Sequence, residues 1–365
     1  MSAGATHVVG ILYWSQALSE DLMSPRMYPL GLDGGRRLVR LIELEETDYR
    51  AAGFLDNHHL KQFGAGFWVD WMEVERATET MPAQCDFIFH IGHVGSTLLS
   101  RLLGVNEQVF CLREPEILRA LARSEFAIGD GRVVVDGASF DRISEVFVKL
   151  LSRVWRPGQR SLIKTTSYVS DMAPLLMQLS PAAKALLLVA SPTQYAATVF
   201  RTEIPRDDIR SAARERLARL HMRLPERAWR LEDLSEGEVV AMSWLCGIMA
   251  LSEIARTFPE RASWIDFDAF LQQPEGILAT SLRHLGGASS EQEIEQIIRS
   301  PDWGRYSKDQ RFPFGPDSRR RALADSMAGH AAEIASGAAW IEGARRRFTE
   351  IDEVLNSVET VYGAA

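Results

Sequence analysis

The sequence feature that most constrains the fold is the segment from Phe87 to Gly104, which reads FIFHIGHVGSTLLSRLLG. It begins with an apolar run that is short enough for a strand buried in a sheet, and a turn with two glycines follows. We expect Ser96 and Thr97 to cap the helix that comes next. A strand, a glycine turn and a capped helix point several backbone N–H groups and the positive end of the helix at one anion. The segment therefore predicts a phosphate-binding loop.

The loop lacks the lysine of the nucleotide triphosphatase signature. That signature places a lysine between the last glycine and the Ser/Thr, whereas Ser96 follows Gly95 directly here. Glycine turns also close many strand-to-helix connections for purely structural reasons. Taken alone, the segment is compatible with both an anion site and a structural turn.

Apolar strand candidates alternate with helices through the middle of the chain, which is the pattern of a parallel sheet. Two of these strands lead into charged residues: Glu114 follows the strand Val109–Leu112, and Lys164 ends the strand that begins at Ser161. Ligands of open α/β sheets bind at the carboxyl ends of the strands. The pattern predicts an α/β fold with a central parallel sheet and polar residues at one edge.

The composition is that of a globular protein, with 46% hydrophobic and 25% charged residues in a chain of 365. The formal net charge of −8 argues against a nucleic-acid partner. The three cysteines are not spaced like metal ligands, and we predict neither a metal site nor a disulfide framework. No apolar run approaches the roughly 18 residues that span a bilayer. Because the first residues also lack a signal-peptide pattern, we expect a cytoplasmic protein without a membrane partner.

The chain divides by pattern into three regions. Residues 1–82 predict a small β-containing flank or lid, residues 83–300 the α/β core, and residues 301–365 a loop rich in aromatic and basic residues followed by helices. Arginine and glutamate are interleaved between residues 206 and 233, which indicates a solvated helical face, with a cofactor-facing surface as the alternative. The strand candidates of the first region are Val8–Trp14, Leu38–Leu44 and Gly66–Val74.

Taken together, these pieces resemble the P-loop sulfotransferase family from about Cys85 to Tyr306, and their order is most similar to that of tyrosyl-protein sulfotransferases. The resemblance lies in the glycine loop, the Leu-Arg-Glu-Pro segment, the Lys-Thr strand end, the strand followed by Ser-Pro, the Trp244 helix and the Ile-Asp-Phe-Asp-Ala-Phe segment. It implies a three-layer α/β sandwich of the P-loop type. It also implies transfer of a sulfuryl group from 3′-phosphoadenosine 5′-phosphosulfate (PAPS) to a hydroxyl or amine, by in-line displacement without a metal.

The resemblance assigns roles to residues of this chain. In the subgroup of tyrosyl-protein sulfotransferases, the general base is a glutamate after the second strand, which corresponds to Glu114, and the lysine that stabilises the transferring group corresponds to Lys164. Backbone amides of the loop hold the 5′-phosphosulfate in the family, and the corresponding residues are Gly92, His93, Val94, Gly95, Ser96 and Thr97.

The chain departs from the family at its basic positions. The family usually has a lysine or arginine in the loop where this chain has His93, which in its protonated form could neutralise the bridging oxygen and is assigned a catalytic role on that ground. In the pocket for the 3′-phosphate, the family's arginine and serine correspond to Ala190 and Thr198. The remaining candidates for donor binding are Thr198 itself with Arg201, Arg305 and Lys308.

Two other functions stay open at this stage. One is a kinase-like P-loop transferase that uses ATP, for which Asp171 and Asp266 are candidate Mg²⁺ ligands by residue type. The other is a catalytically inactive binding protein on the same fold. Peptides, carbohydrates, lipids and small natural products are all compatible as acceptors.

Overall fold

The computed structural model describes residues 11–12, 21–131, 137–304 and 315–362. Its strands are β1 (Ile11–Leu12), β2 (Met27–Asp33), β3 (Leu38–Glu43), β4 (Phe67–Asp70), β5 (Cys85–His90), β6 (Val109–Arg113), β7 (Arg160–Lys164), β8 (Ala185–Val189) and β9 (Ala262–Asp266).

Helices make up most of the remainder. In the first half they are α1 (Glu46–Ala51), α2 (Asn57–Leu60), α3 (Trp71–Thr78), α4 (Ser96–Leu103), α5 (Glu116–Gly129), α6 (Gly137–Leu151) and α7 (Ala173–Leu179). In the second half they are α8 (Pro192–Phe200), α9 (Glu203–Met222), α10 (Glu236–Thr257), α11 (Phe267–Gln272), α12 (Pro274–His284), α13 (Glu291–Arg299), α14 (Pro316–Gly329), α15 (Ala331–Arg347) and α16 (Thr349–Tyr362). Short 3₁₀ helices cover Lys61–Phe63, Ser167–Met172 and Leu231–Asp233.

The predicted fold class is confirmed. Five strands form a central parallel sheet in the order β6-β7-β5-β8-β9, and a second sheet near the N-terminus has the order β1-β4-β3-β2. In the central sheet Phe87 lies opposite Ala185, which in turn lies opposite Ala262. Strands β5, β6 and β8 are buried along their whole length, as expected of strands covered on both faces. The chain ends in helices.

The N-terminal flank differs in detail from the prediction. The strand expected to run through Val74 ends at Asp70, because the Asp70 side chain accepts a hydrogen bond from the Met72 N–H at 2.8 Å and caps helix α3. Strand β2 is absent from the prediction because Pro29 and Gly31 interrupt its apolar run, and the register shifts between those two residues. Only two residues of the first candidate strand, β1, lie within the described part of the chain.

The described residues form two compact units. The first comprises those of 1–86, 107–163 and 175–183, and the second comprises those of 87–106, 164–174 and 184–365. The division into three regions at residues 82 and 300 stays a prediction.

Helix α10 is the apolar centre of the second unit. Trp244 on this helix is buried and donates a hydrogen bond from Nε1 to the Ala190 carbonyl oxygen at 2.9 Å, just beyond the end of β8. By length and composition the helix would suffice to cross a membrane, but 72% of its most apolar window is buried inside the protein. That degree of burial is typical of a core helix.

Candidate functional site

The glycine loop joins β5 to α4 in the second unit. Gly92, His93 and Gly95 have left-handed backbones with φ of 91°, 54° and 68°. Gly95 is the N-terminal cap of α4, so the expectation that Ser96 and Thr97 cap the helix is wrong: these are its first two residues. The left-handed conformation suits glycine because a Cβ there is strained. No side chain caps this helix, and its N-terminal N–H groups and dipole favour an anion.

Phe267 packs directly on Gly95. A Cβ atom placed on Gly95 would lie 2.0 Å from Cε2 of the Phe267 ring, which is far inside van der Waals contact. Position 95 therefore requires glycine for its space as well as for its backbone conformation. The ring comes from the first residue of α11, directly after β9.

His90 ties the loop to the end of β7. Its Nδ1 accepts a hydrogen bond from the Gly92 N–H at 3.0 Å, and its Nε2 lies 2.8 Å from the Thr165 carbonyl oxygen. Both contacts are satisfied by the tautomer that carries its hydrogen on Nε2. Thr165 is fixed further by its N–H and its hydroxyl, which donate to the Ile88 carbonyl oxygen at 3.1 and 3.2 Å. Sequence analysis assigned no role to His90, although a polar residue ending an apolar strand was a visible signal.

Lys164 is the last residue of β7, as predicted, and immediately precedes Thr165. Its relative exposure is only 1%, which is rare for a lysine. The strand end is held in place by Thr165, so the backbone of Lys164 is fixed. Its role in catalysis stays a prediction.

Glu114 lies in the first unit, directly after β6 and before Pro115, the N-terminal cap of α5. Its φ is 52°, a left-handed conformation that costs a non-glycine residue about 1–3 kcal/mol and persists only where the surroundings impose it. The backbone of Leu55 holds Glu114 in this conformation by two hydrogen bonds to the residues that flank the turn. Its N–H donates to the Arg113 carbonyl oxygen at 2.8 Å, and its carbonyl oxygen accepts from the Glu116 N–H at 3.1 Å. The carboxylate lies 3.4 Å from the Arg119 guanidinium.

His93 is held by an acidic residue that sequence analysis missed. Its Nε2 lies 3.0 Å from Oδ2 of Asp208 on helix α9, and 9% of its side chain is exposed. An ionised carboxylate only accepts hydrogen bonds, so Nε2 carries the hydrogen in this contact. The ring also lies 6.5 Å from the ring of buried Tyr195. Burial is the main reason why the pKa of Tyr195 rises to about 12.

The arginines of α9 do not all face solvent. Arg206 and Arg210 are partly exposed and form ion pairs with Glu236, which agrees with the predicted solvated face. Arg216 and Arg219 are buried, so that prediction is wrong for these two. Arg219 pairs with two carboxylates, at 3.5 Å from Asp171 and 3.0 Å from Glu215.

Arg216 instead faces the start of the glycine loop. Its Nη2 lies 3.4 Å from the hydroxyl of Ser167, and that hydroxyl lies 3.4 Å from the place of a Cβ on Gly92. The guanidinium carbon is 5.7 Å from the centre of the Tyr168 ring. Burial lowers the pKa of Arg216, but its interactions with Tyr195 and Tyr168, and then with Asp208, together outweigh burial, and the pKa is raised.

A second basic cluster surrounds Thr198 on α8. Nη1 of Arg319, from α14, lies 3.4 Å from the Thr198 hydroxyl, and the guanidinium carbon is 4.8 Å from the centre of the Phe267 ring. Arg319 is 5% exposed, and its charge is shared with Asp268 at 3.3 Å. Burial and the nearby charge of Arg201 lower its pKa, while Asp268 opposes them.

Arg201, one turn after Thr198, is exposed beside this cluster. Arg305 and Lys308, the other candidates for this role, lie outside the described residues. Sequence analysis assigned no role to Arg319. At Ala190, the position of the family's arginine, the only contact described is its carbonyl oxygen, which accepts from Trp244.

The two candidate magnesium ligands, Asp171 and Asp266, form ion pairs or hydrogen bonds with other residues of the chain. Asp171 forms ion pairs with Arg219 and, at 2.8 Å, with Arg223. Asp266 caps α11 by accepting from the Ala269 N–H at 2.8 Å, and burial raises its pKa. Within the described ranges, no three His, Cys, Asp or Glu residues are grouped so that they could hold a metal ion.

No protein-family model matches the chain, and no curated protein matches it. Solved structures do. Six of the solved structures that the chain resembles are sulfotransferases by name, and a seventh is a retinol dehydratase in complex with PAP.

Three of them illustrate the likeness. The sulfotransferase domain from the curacin biosynthetic pathway is 15% identical with a TM-score of 0.40, and the match covers 76% of this chain and 98% of that one. A sulfotransferase of Mycobacterium avium is 12% identical with a TM-score of 0.38, over 71% and 80% of the two chains. A mouse sulfotransferase complexed with PAP is 15% identical with a TM-score of 0.35, over 65% and 73%. At values this low the likeness carries no argument about function, which has to rest on the residues of the site.

Proposed function

We propose that the protein is a sulfotransferase-like enzyme that transfers a sulfuryl group from PAPS to a hydroxyl or amine of an acceptor. The observation that carries the proposal is that two regions rich in positive charge or in N–H donors pack against the same aromatic ring. We call these regions the two poles of the site. Phe267 packs against the glycine loop at Gly95, and the guanidinium of Arg319, whose partner is Thr198, lies against the same ring. PAPS has the matching chemistry, with anionic groups at the 5′ and 3′ positions of one nucleoside.

The side chains at both poles fit such a ligand. At the loop, buried Arg216 is without a hydrogen-bond partner for Nη1 among the described residues. At the other pole, Arg319 approaches Thr198 at 3.4 Å and Arg201 adds a second positive charge nearby. Guanidinium groups and backbone N–H groups at a helix start are the donors that proteins use for phosphate.

When bound, PAPS would supply a sulfuryl group on a phosphate leaving group. The residues of this chain that serve that chemistry are the N–H groups from Gly92 to Thr97, which hold the 5′-anion, and Lys164, whose ammonium offsets charge on the transferring group. His93, oriented by Asp208, can donate to the leaving oxygen when protonated. Glu114 takes the proton of the acceptor hydroxyl or amine; this assignment rests on its place in the motif order and on its imposed left-handed backbone.

Isothermal titration calorimetry with adenosine 3′,5′-bisphosphate (PAP) and, separately, with ATP and Mg²⁺ tests the proposal. We expect PAP to bind without a metal and ATP to bind more weakly, since ATP has no 3′-phosphate. Absence of PAP binding would overturn the proposal. ATP binding and consumption that require Mg²⁺ would favour a kinase-like transferase. PAP binding without any release of PAP from PAPS, across a panel of phenols, alcohols and amines, would favour an inactive binding protein.

Replacing Arg319 by methionine should weaken PAP binding and spare AMP, which lacks the 3′-phosphate. A hydrogen bond to a charged group is worth about 1.5–3 kcal/mol, or about 10- to 150-fold in affinity. We therefore expect a loss of that size for PAP and a much smaller change for AMP, measured by calorimetry. Arg320→Met is the matched control, because Arg320 is the next residue and is largely exposed beside Asp317. Equal losses for both nucleotides would show that Arg319 does not read the 3′-phosphate.

A further inference from the structure

The glycine loop contains no permanently positive side chain to balance the charge of a bound anion. Residues 92–97 include no lysine or arginine, whereas loops that bind phosphate beside a helix commonly add a lysine to their backbone donors. His93 is the only titratable residue among them, and it contacts the Asp208 carboxylate at 3.0 Å. A protonated His93 with Asp208 is a neutral pair in sum. A permanent cation for the loop has to come from elsewhere in the fold.

Helix α9 brings such a cation to the loop. Asp208 and Arg216 are eight residues apart, a spacing that places both on one face of the helix. Asp208 contacts His93, and Arg216 lies 3.4 Å from the Ser167 hydroxyl, which is 3.4 Å from the place of a Cβ on Gly92. One helical face therefore contacts the middle of the loop directly and approaches its start through Ser167.

The contacts of Arg216 differ from those of a structural arginine. Arg219, three residues later and equally buried, is neutralised by Asp171 and Glu215. Arg216 is 7% exposed, its one described hydrogen bond is the 3.4 Å contact with Ser167, and its Nη1 has no hydrogen-bond partner among the described residues. The buried phenol oxygen of Tyr195 has no hydrogen bond of normal geometry either, and Arg216 is close enough to it to oppose the rise in its pKa. Buried polar atoms are normally satisfied, so the Arg216 Nη1 and the neighbouring Tyr195 hydroxyl are donors available to a ligand.

We propose that Arg216 is the cation of the glycine loop, supplied by helix α9 in place of a loop lysine, and that it binds the anionic end of the donor at Gly92 together with the Tyr195 hydroxyl. The inference rests on the proposed function for the identity of the donor. What it states by itself is that the binding of an anion at the loop depends on Arg216. A guanidinium suits this position because it stays charged at physiological pH and offers a planar pair of donors to an oxyanion.

The test uses two probes, PAP and inorganic pyrophosphate, on the full chain and on the variants Arg216→Gln, Arg216→Lys and Arg210→Gln. Pyrophosphate carries the anionic chemistry of the loop without a nucleoside, and its binding is read by thermal shift and calorimetry. We expect Arg216→Gln to weaken both probes by about 10- to 100-fold. Arg216→Lys, which keeps the charge and loses the planar donors, should recover part of the loss. Arg210→Gln changes an exposed arginine on the same helix and should bind as the natural chain does.

The outcomes separate this inference from the proposed function. If the natural chain binds PAP and Arg216→Gln binds it equally well, the inference is wrong and the proposed function stands. If the natural chain binds pyrophosphate in an Arg216-dependent way but does not bind PAP, the loop cation is supported and the sulfotransferase proposal is wrong. Binding of neither probe by the natural chain overturns both. A thermal melt without ligand shows whether Arg216→Gln is folded; if it is not, Arg216→Lys with unchanged affinity for both probes counts against the planar contact.

Discussion

Replacing Lys164 by methionine is expected to lower turnover of the donor by about 100- to 1000-fold, the loss typical of removing one preorganised group that stabilises transition-state charge. Methionine keeps the length and the apolar stem of a side chain that is 1% exposed, so the variant removes mainly the ammonium. PAP affinity should change little, because PAP lacks the sulfuryl group on which the ammonium acts. The measurement is PAP release from PAPS with an acceptor found by screening phenols, alcohols and amines.

Lys184→Met is the matched control for this variant. Lys184 directly precedes β8, at the amino end of a strand of the same sheet, and its ammonium donates to the Glu260 carbonyl oxygen at 2.9 Å. Loss of this contact should leave turnover unchanged, since ligands of parallel sheets bind at the carboxyl ends. Full activity of a folded Lys164→Met variant would remove Lys164 from the mechanism.

Replacing Glu114 by glutamine is expected to lower turnover by about 100- to 10,000-fold, the range for loss of a positioned general base. Glutamine is nearly isosteric but cannot take a proton. The hydrogen bonds that Leu55 makes to Arg113 and Glu116 are backbone contacts and should hold the left-handed turn in the variant. PAP affinity should again stay close to that of the natural chain, and the same release assay provides the measurement.

Glu116→Gln tests whether any acid at this turn would give the same effect. Glu116 begins helix α5 two residues later, where a carboxylate favours the helix dipole by about 0.3–1 kcal/mol. Its replacement should cost a little stability and no activity. If both variants lose activity equally, the turn as a whole matters rather than the carboxylate of Glu114.

Local patterns predicted much of this protein correctly. The apolar runs of β5, β7 and β8, the glycine turn, the helix that follows and the position of Lys164 at a strand end are all consequences of residue order over short distances. Capping of α4 was predicted wrongly because the side chains of Ser96 and Thr97 suggest a cap, whereas the backbone angle of Gly95 decides it. Glycine permits that angle without requiring it, so the residue order alone does not reveal it.

The residues missed by sequence analysis depend on contacts between distant parts of the chain. Arg216 and Arg319 lie in polar, arginine-rich stretches, and the immediate neighbours of Arg319 in sequence are exposed. The residues that bury them, Tyr168 for Arg216 and Phe267 for Arg319, belong to other elements. Charge periodicity describes the average face of a helix, and it does not single out the arginines that the fold turns inward.

Because the ring of Phe267 packs on Gly95, this loop cannot be transferred to another protein as an isolated segment. Residues 87–104 grafted into the strand-to-helix junction of another protein would carry the glycines but not the ring, which follows β9, the edge strand two positions from β5 in the sheet. The graft would have a gap beside Gly95 the size of a benzyl group, and nothing would connect it to a second basic cluster. Any attempt to transplant or redesign the loop therefore has to move position 267 with it.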